Sequence, residues 1–290
     1  MGPTFAKKHE FSKVLENGHH LSFNSLMNSH PSESPAVDRV VRRRQQELEL
    51  LLKQMPANSA AYLELAQIYR DQDRHHEAAH VLQRAICYSP NEPEVRWQLE
   101  EAQLAQALQR LRSATEVELM QTNTSNREDV ERAKINWANC RRNVCKARLN
   151  RDPTQMGLRV VLAESLRDLG DFEEAIRETE IAIRTMDVAP QAFLIRGQCF
   201  LAMDRPLEAL SAWRSAALRR SVPAPEATKV AALQAAADTS LKHGLYSSAK
   251  RYLDELQCLL PEDANVREAL IKLEQLNVDS DDEMIPSVSI

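Results

Sequence analysis

Apolar residues in this chain recur three and four positions apart over most of its length, a spacing that predicts helices rather than strands. Leu162, Ala163 and Leu166 share one face of a helix, as do Phe193, Gly197 and Phe200. Ala163, Leu166, Ala175 and Ala182 return 34 residues later as Gly197, Phe200, Ala209 and Ala216. A small and large alternation at that period predicts stacked helical hairpins, one over 156–189 and the next over 190–223. Small residues let paired helices approach closely, while Phe200 and Trp213 fill the space between them.

The same template fits 59–92, where Tyr62, Leu65, Ala66 and Tyr69 lead, Ala78, Leu82 and Ala85 follow, and Pro90 closes the second helix. It fits again over 230–263, with Ala237, Gly244, Tyr246, Ala249, Leu253 and Pro261 in place. Ala78 and Ala175 are 97 apart, which predicts one enlarged, degenerate unit over 93–155. Its first helix is expected from Pro93 to about Arg112 and its second over about Asn126 to Asn150, joined by the polar run Gln121 to Thr124 and started by a Ser125/Glu128 capping box. Ala209 and Ala249 are 40 apart, so six residues are inserted, at Ser221 to Glu226 with its two prolines.

At these positions the sequence resembles the tetratricopeptide repeat family, over most of 59–263. The resemblance implies an all-α solenoid of helical hairpins wound as a right-handed superhelix, with protein binding in a groove lined by the first helices. Two residues depart from the family pattern: Arg159 and Thr179 stand where large aromatics are usual, which predicts loose packing in that unit.

In the implied register, three rows face the groove. The first is Leu63, Val160, Leu194 and Gln234; the second Gln67, Glu164, Gln198 and Asp238; the third Arg70, Arg167, Leu201 and Leu241. The second row lacks most of the Lys, Asn and Arg set with which some family members hold a partner's terminal carboxylates, so the expected partner is an amphipathic helix or extended segment.

Outside the repeats, Pro35 to Gln54 reads as a helix with an apolar stripe, and Ala264 to about Leu276 as a closing helix, so that 35–276 forms one continuous capped array. Residues 1–34 carry Phe11, Val14, Leu15, Leu21, Phe23, Leu26 and Met27, and are expected to be partly disordered or docked on the array. Residues 277–290, with Asp279, Asp281, Asp282 and Glu283, are expected to form an acidic disordered tail.

Composition changes this picture little. Six glycines and 5% aromatic residues suit Ala- and Leu-packed helices better than strands. A net charge of −5 builds in no general attraction for nucleic acid or membrane. No apolar run is long enough to span a membrane, the first 20 residues lack a signal peptide's apolar core, and Ala6 occupies the Ser or Thr position of a myristoylation signal. Five cysteines scattered through helices suit a reducing cytoplasm.

The chemistry-bearing residues do not assemble into a site at this level. Cys140 and Cys145 diverge by about 140° around a helix, and His76 and His80 share a face but lack further ligands. No phosphate loop, nucleophile elbow or zinc-protease motif is present, so neither enzyme activity nor a cofactor or metal is expected. Residues 127–151 hold eight Lys or Arg against three acids, and Arg141, Arg142 and Arg148 make a polyanion strip the alternative reading. Self-association through exposed solenoid ends is another.

Overall fold

The computed structural model describes residues 35–218 and 224–282; the proposed docking or disorder of 1–34 lies outside them. Among the described residues there are twelve helices and no strand. In chain order they are α1 (Pro35–Gln54), α2 (Ser59–Asp71), α3 (His75–Tyr88), α4 (Pro93–Met120), α5 (Thr124–Arg151) and α6 (Met156–Asp168). There follow α7 (Phe172–Ala182), α8 (Ala189–Ala202), α9 (Pro206–Leu218), α10 (Glu226–Lys242), α11 (Tyr246–Leu259) and α12 (Ala264–Asp282).

The chain divides within α5, between Val144 and Cys145, into two compact units. The enlarged hairpin is where the register of the repeats is broken. In the first unit α1 packs on α2, α2 on α3, and α3 on α4. Its core runs from Leu48 and Leu52 through Tyr62, Leu65 and Tyr69 to Leu82 and Val95. In the second unit each helix from α6 to α12 packs on the next, and one cluster joins Phe200 and Trp213 to Leu233, Leu253, Leu256 and Leu273.

The small residues of the repeat do what their spacing predicts. Ala78, Ala163, Ala175, Ala182, Ala209, Ala216 and Ala249 are fully buried, and Gly197 lies directly under the Trp213 indole, whose Nε1–H donates to the Leu194 carbonyl at 3.2 Å. Arg159 and Thr179 both make polar contacts within their hairpin. Arg159 reaches Glu178 at 2.8 Å, and Thr179, wholly buried, returns its hydroxyl to the Ile176 carbonyl at 2.7 Å. Polar side chains thus stand in for aromatic packing, the Thr179 hydroxyl and one Arg159 guanidinium nitrogen finding partners within the hairpin while the buried Arg159 Nε has none.

Each repeat hairpin turns in the same way. Asp73, Gly170, Asp204 and Gly244 all have positive φ, at 55°, 84°, 57° and 69°. They occupy the same place in their units, and in each the next residue donates its amide back across the turn: Arg74 to Tyr69, Asp171 to Leu166, Arg205 to Phe200 and Leu245 to Ser240, at 2.8 to 2.9 Å. This left-handed cap satisfies carbonyls that the end of the first helix would otherwise leave unpaired.

Three boundaries differ from those expected. Helix α4 continues eight residues past Arg112, since Ser113 to Met120 contains neither Gly nor Pro to stop it. Asn123, not Ser125, caps α5, accepting the Asn126 amide at 2.8 Å. Helix α12 runs on to Asp282, so the expected tail is helical over 277–282.

Candidate partner-binding site

First helices of successive hairpins lie side by side: α6 touches α8, α8 touches α10, and α2 touches α4. Among the described residues no comparable contact joins the second helices α7, α9 and α11, so within the second unit the first helices form the tighter layer. Residues pointing away from the hairpin cores on α6, α8 and α10 therefore fall into neighbouring rows.

The apolar row offers less free surface than its spacing predicts. Val160 is only 4% exposed and is spent on internal packing. Leu63 packs against the first core, and Leu194 and Leu241 pack against the second as half-buried members. Leu201, at 39% exposure, is the apolar position that stands open. The polar positions are more accessible: Gln67, Gln234 and Asp238 are exposed, and Glu164 and Gln198 half-buried. A single sequence could not show this, because whether a first-row side chain is covered depends on the lean of the neighbouring hairpin.

The third row contains two arginines that bind across hairpins. Arg70 of α2 donates to the Gln98 side chain of α4, and Arg167 of α6 donates to Gln198 of α8. Arg167 also reaches Asp168 at 2.6 Å, with only 16% of its side chain exposed. Gln67 is held by its own helix, donating to Asp71 at 2.6 Å. Beneath this polar layer burial pushes the Cys199 thiol up to about 11, Arg167 opposing the shift and Asp168 adding to it. Burial likewise lowers His75 below its ordinary value, Asp73 opposing and Arg70 and Arg112 adding. The Arg70 and Arg167 hydrogen bonds tie neighbouring first helices together.

The basic strip is not a surface strip. Arg141 is 7% and Arg148 9% exposed, Arg141 lying over the Trp137 ring at 5.2 Å. Their stems and guanidiniums are packed among neighbouring side chains, and of the three arginines only Arg142 retains partial exposure. A phosphate-tracking role needs solvent-facing cations, so Arg141 and Arg148 are removed from that reading. Among the described residues no three His, Cys, Asp or Glu side chains converge as metal ligands, and no described helix is long and apolar enough to cross a membrane.

A family model described as tetratricopeptide repeat matches residues 35–93 and 160–227. Similar solved structures include TTC0263, a thermophilic tetratricopeptide protein of Thermus thermophilus, 17% identical over 75% of this chain and 99% of that one, with a TM-score of 0.40. PilW, a type IV pilus biogenesis factor, is 15% identical over 90% and 99%, with a TM-score of 0.41. A tetratricopeptide repeat protein of Parabacteroides merdae is 15% identical over 82% and 93%, with a TM-score of 0.38. No curated protein sequence matches the chain. The two stretches matched by the family model lie one in each compact unit, where the hairpins share their buried alanines and their left-handed turn; over these stretches the chain is built of tetratricopeptide-type repeats.

Proposed function

We propose that the chain is a protein-interaction scaffold that holds a segment of a partner protein against its first-helix face. The side-by-side packing of α6, α8 and α10 carries the reading, because it sets polar groups in rows on a preorganised surface and so lowers the ordering cost of binding. Gln198, Gln234, Asp238 and Glu164 supply donors and acceptors, Leu201 supplies an apolar contact, and the arginine links hold the row in register. The partner chemistry that fits is an extended or helical segment rich in hydrogen-bonding side chains, with an apolar residue placed to meet Leu201. Arg70 and Arg167 already have glutamine partners, which favours such a segment over a terminal carboxylate.

Tagged parent and variant chains used as bait in the native cell test this. Leu201→Glu places a charge at the open apolar position, and loss of about 2 kcal/mol there corresponds to roughly 30-fold weaker retention of a specific partner. His80→Ala, on an exposed face of a second helix, leaves retention unchanged. Equal retention by Leu201→Glu, Gln234→Lys and Asp238→Lys chains of parental helicity would refute the assignment. Leu63→Glu and Leu194→Glu are less discriminating, since both residues also pack on their cores.

A further inference from the structure

The second helices of the second unit spread apart and leave between them a cleft of about 710 Å³. It lies away from the row of first-helix positions described above. Arg214 of α9 and Arg251 of α11 line it, with Ile183, Phe193 and Leu218 as its apolar part and Ser211 beside Arg214. Among the described residues no carboxylate lines this cleft. Neither guanidinium has a carboxylate within ion-pair distance among the described residues, whereas Arg196, Arg205 and Lys229 around it are paired with Glu180, Glu208 and Glu255. Arg251 and Leu218 also border a smaller adjoining cleft of about 250 Å³, where Asp254 and Glu255 stand one turn beyond Arg251 but outside ion-pair distance of it.

Two unpaired guanidiniums on successive second helices, facing the same apolar pocket, complement negative charge next to an aliphatic or aromatic side chain. We infer that this cleft is a second protein-binding site, which takes an acidic peptide segment of a partner protein, its carboxylates on Arg214 and Arg251 and a neighbouring apolar residue against Phe193 and Leu218. The site is independent of the first-helix face and stands if that face proves to bind nothing. It also gives the scaffold a second point of attachment, so that one partner can be gripped on both sides or two partners can be joined.

The test uses the full chain and a fluorescein-labelled decapeptide of Asp and Glu around a central Phe, with a matched peptide of Asn and Gln as its neutral counterpart. Fluorescence anisotropy should show the acidic peptide binding at least tenfold more tightly than the neutral one, and weakening as salt is raised. Arg214→Glu and Arg251→Glu, both at exposed positions, should each lower its affinity at least tenfold without loss of helicity, while Lys272→Glu, on α12 away from the cleft, should leave it unchanged. Equal binding of the two peptides, or affinity indifferent to both arginine variants, would overturn the proposal. The acidic run Asp279 to Glu283 of this same chain is the rival occupant. If neutralising it to Asn and Gln tightens peptide binding tenfold or more, the cleft is filled from within and the foreign partner is refuted.

Discussion

Adding one methyl group to Gly197 should destabilise the protein, and removing Trp213 should abolish that penalty. A Cβ at Gly197 would stand 2.5 Å from Cδ1 and 2.7 Å from Cε2 of the indole, and closer still to Nε1. Carbon atoms in contact normally stay about 3.5 to 4.0 Å apart. The ring is 1% exposed and has nowhere to retreat. Overpacking of this kind costs about 1 to 3 kcal/mol. Displacing the ring also breaks its hydrogen bond to Leu194, which is worth about 1 kcal/mol. Against this, alanine is favoured over glycine in a helix by about 1 kcal/mol.

The net effect of Gly197→Ala is therefore a loss of about 1 to 3 kcal/mol. Trp213→Ala alone should cost about 3 to 5 kcal/mol. In that background the methyl group meets a void, and Gly197→Ala should become neutral or stabilising by up to about 1 kcal/mol. Urea unfolding of the four proteins, followed by far-UV circular dichroism, gives the double-mutant cycle. Non-additivity well beyond the ~0.5 kcal/mol scatter of independent sites is expected. The reasoning fails if Gly197→Ala unfolds at the parental midpoint, or if its penalty is as large without the indole as with it.

The left-handed turns predict opposite effects at equivalent positions. Gly170→Ala and Gly244→Ala should each cost about 1 kcal/mol with no steric contribution, since nothing lies within 4 Å of either added Cβ. Asp204→Gly should gain up to about 1 kcal/mol in the same urea assay, and an unchanged midpoint in all three would show that the turn carries no strain. The thiols should divide by reactivity: Cys87 and Cys258 are exposed and should alkylate quickly at neutral pH. Cys199, buried and pushed up to about 11, should react only on unfolding, and Cys140, half-buried and likewise pushed up to about 11, should react more slowly than the exposed pair. Because the unfolded chain releases these protons near pH 9 and the folded chain retains them to about pH 11, stability should fall as pH rises through that window. Cys199→Ala should fall less steeply than the parent, and identical slopes would disprove the linkage.

The hairpin cores were legible because a buried alanine at 34-residue spacing has one physical use, close helix contact, and Ala163, Ala175, Ala209 and Ala216 all serve it. The candidate site was legible only as a set of rows. Val160 and Leu201 look interchangeable in a pattern of apolar positions, yet one is buried and the other open, because exposure is set by the neighbouring helix and not by the residue itself. Arg141 and Arg148 misled for the same reason: charge density along a sequence says nothing of how much of a helix is covered. Asp73 and Asp204 conceal their turns, since an aspartate is not a glycine, although their register with Gly170 and Gly244 was there to be used.

That shared turn bears on how such a chain can change in copy number. Each repeat hairpin closes its own backbone at the same left-handed residue, so the instructions for bending are carried inside the unit and travel with it when it is duplicated or lost. The departures from the 34-residue period, the enlarged hairpin of α4 and α5 and the insertion before α10, both fall between turns and leave all four turns intact. A tandem copy of 190–223 placed after itself should accordingly bring its own working bend, and the only new surface it must satisfy is the join with its neighbour.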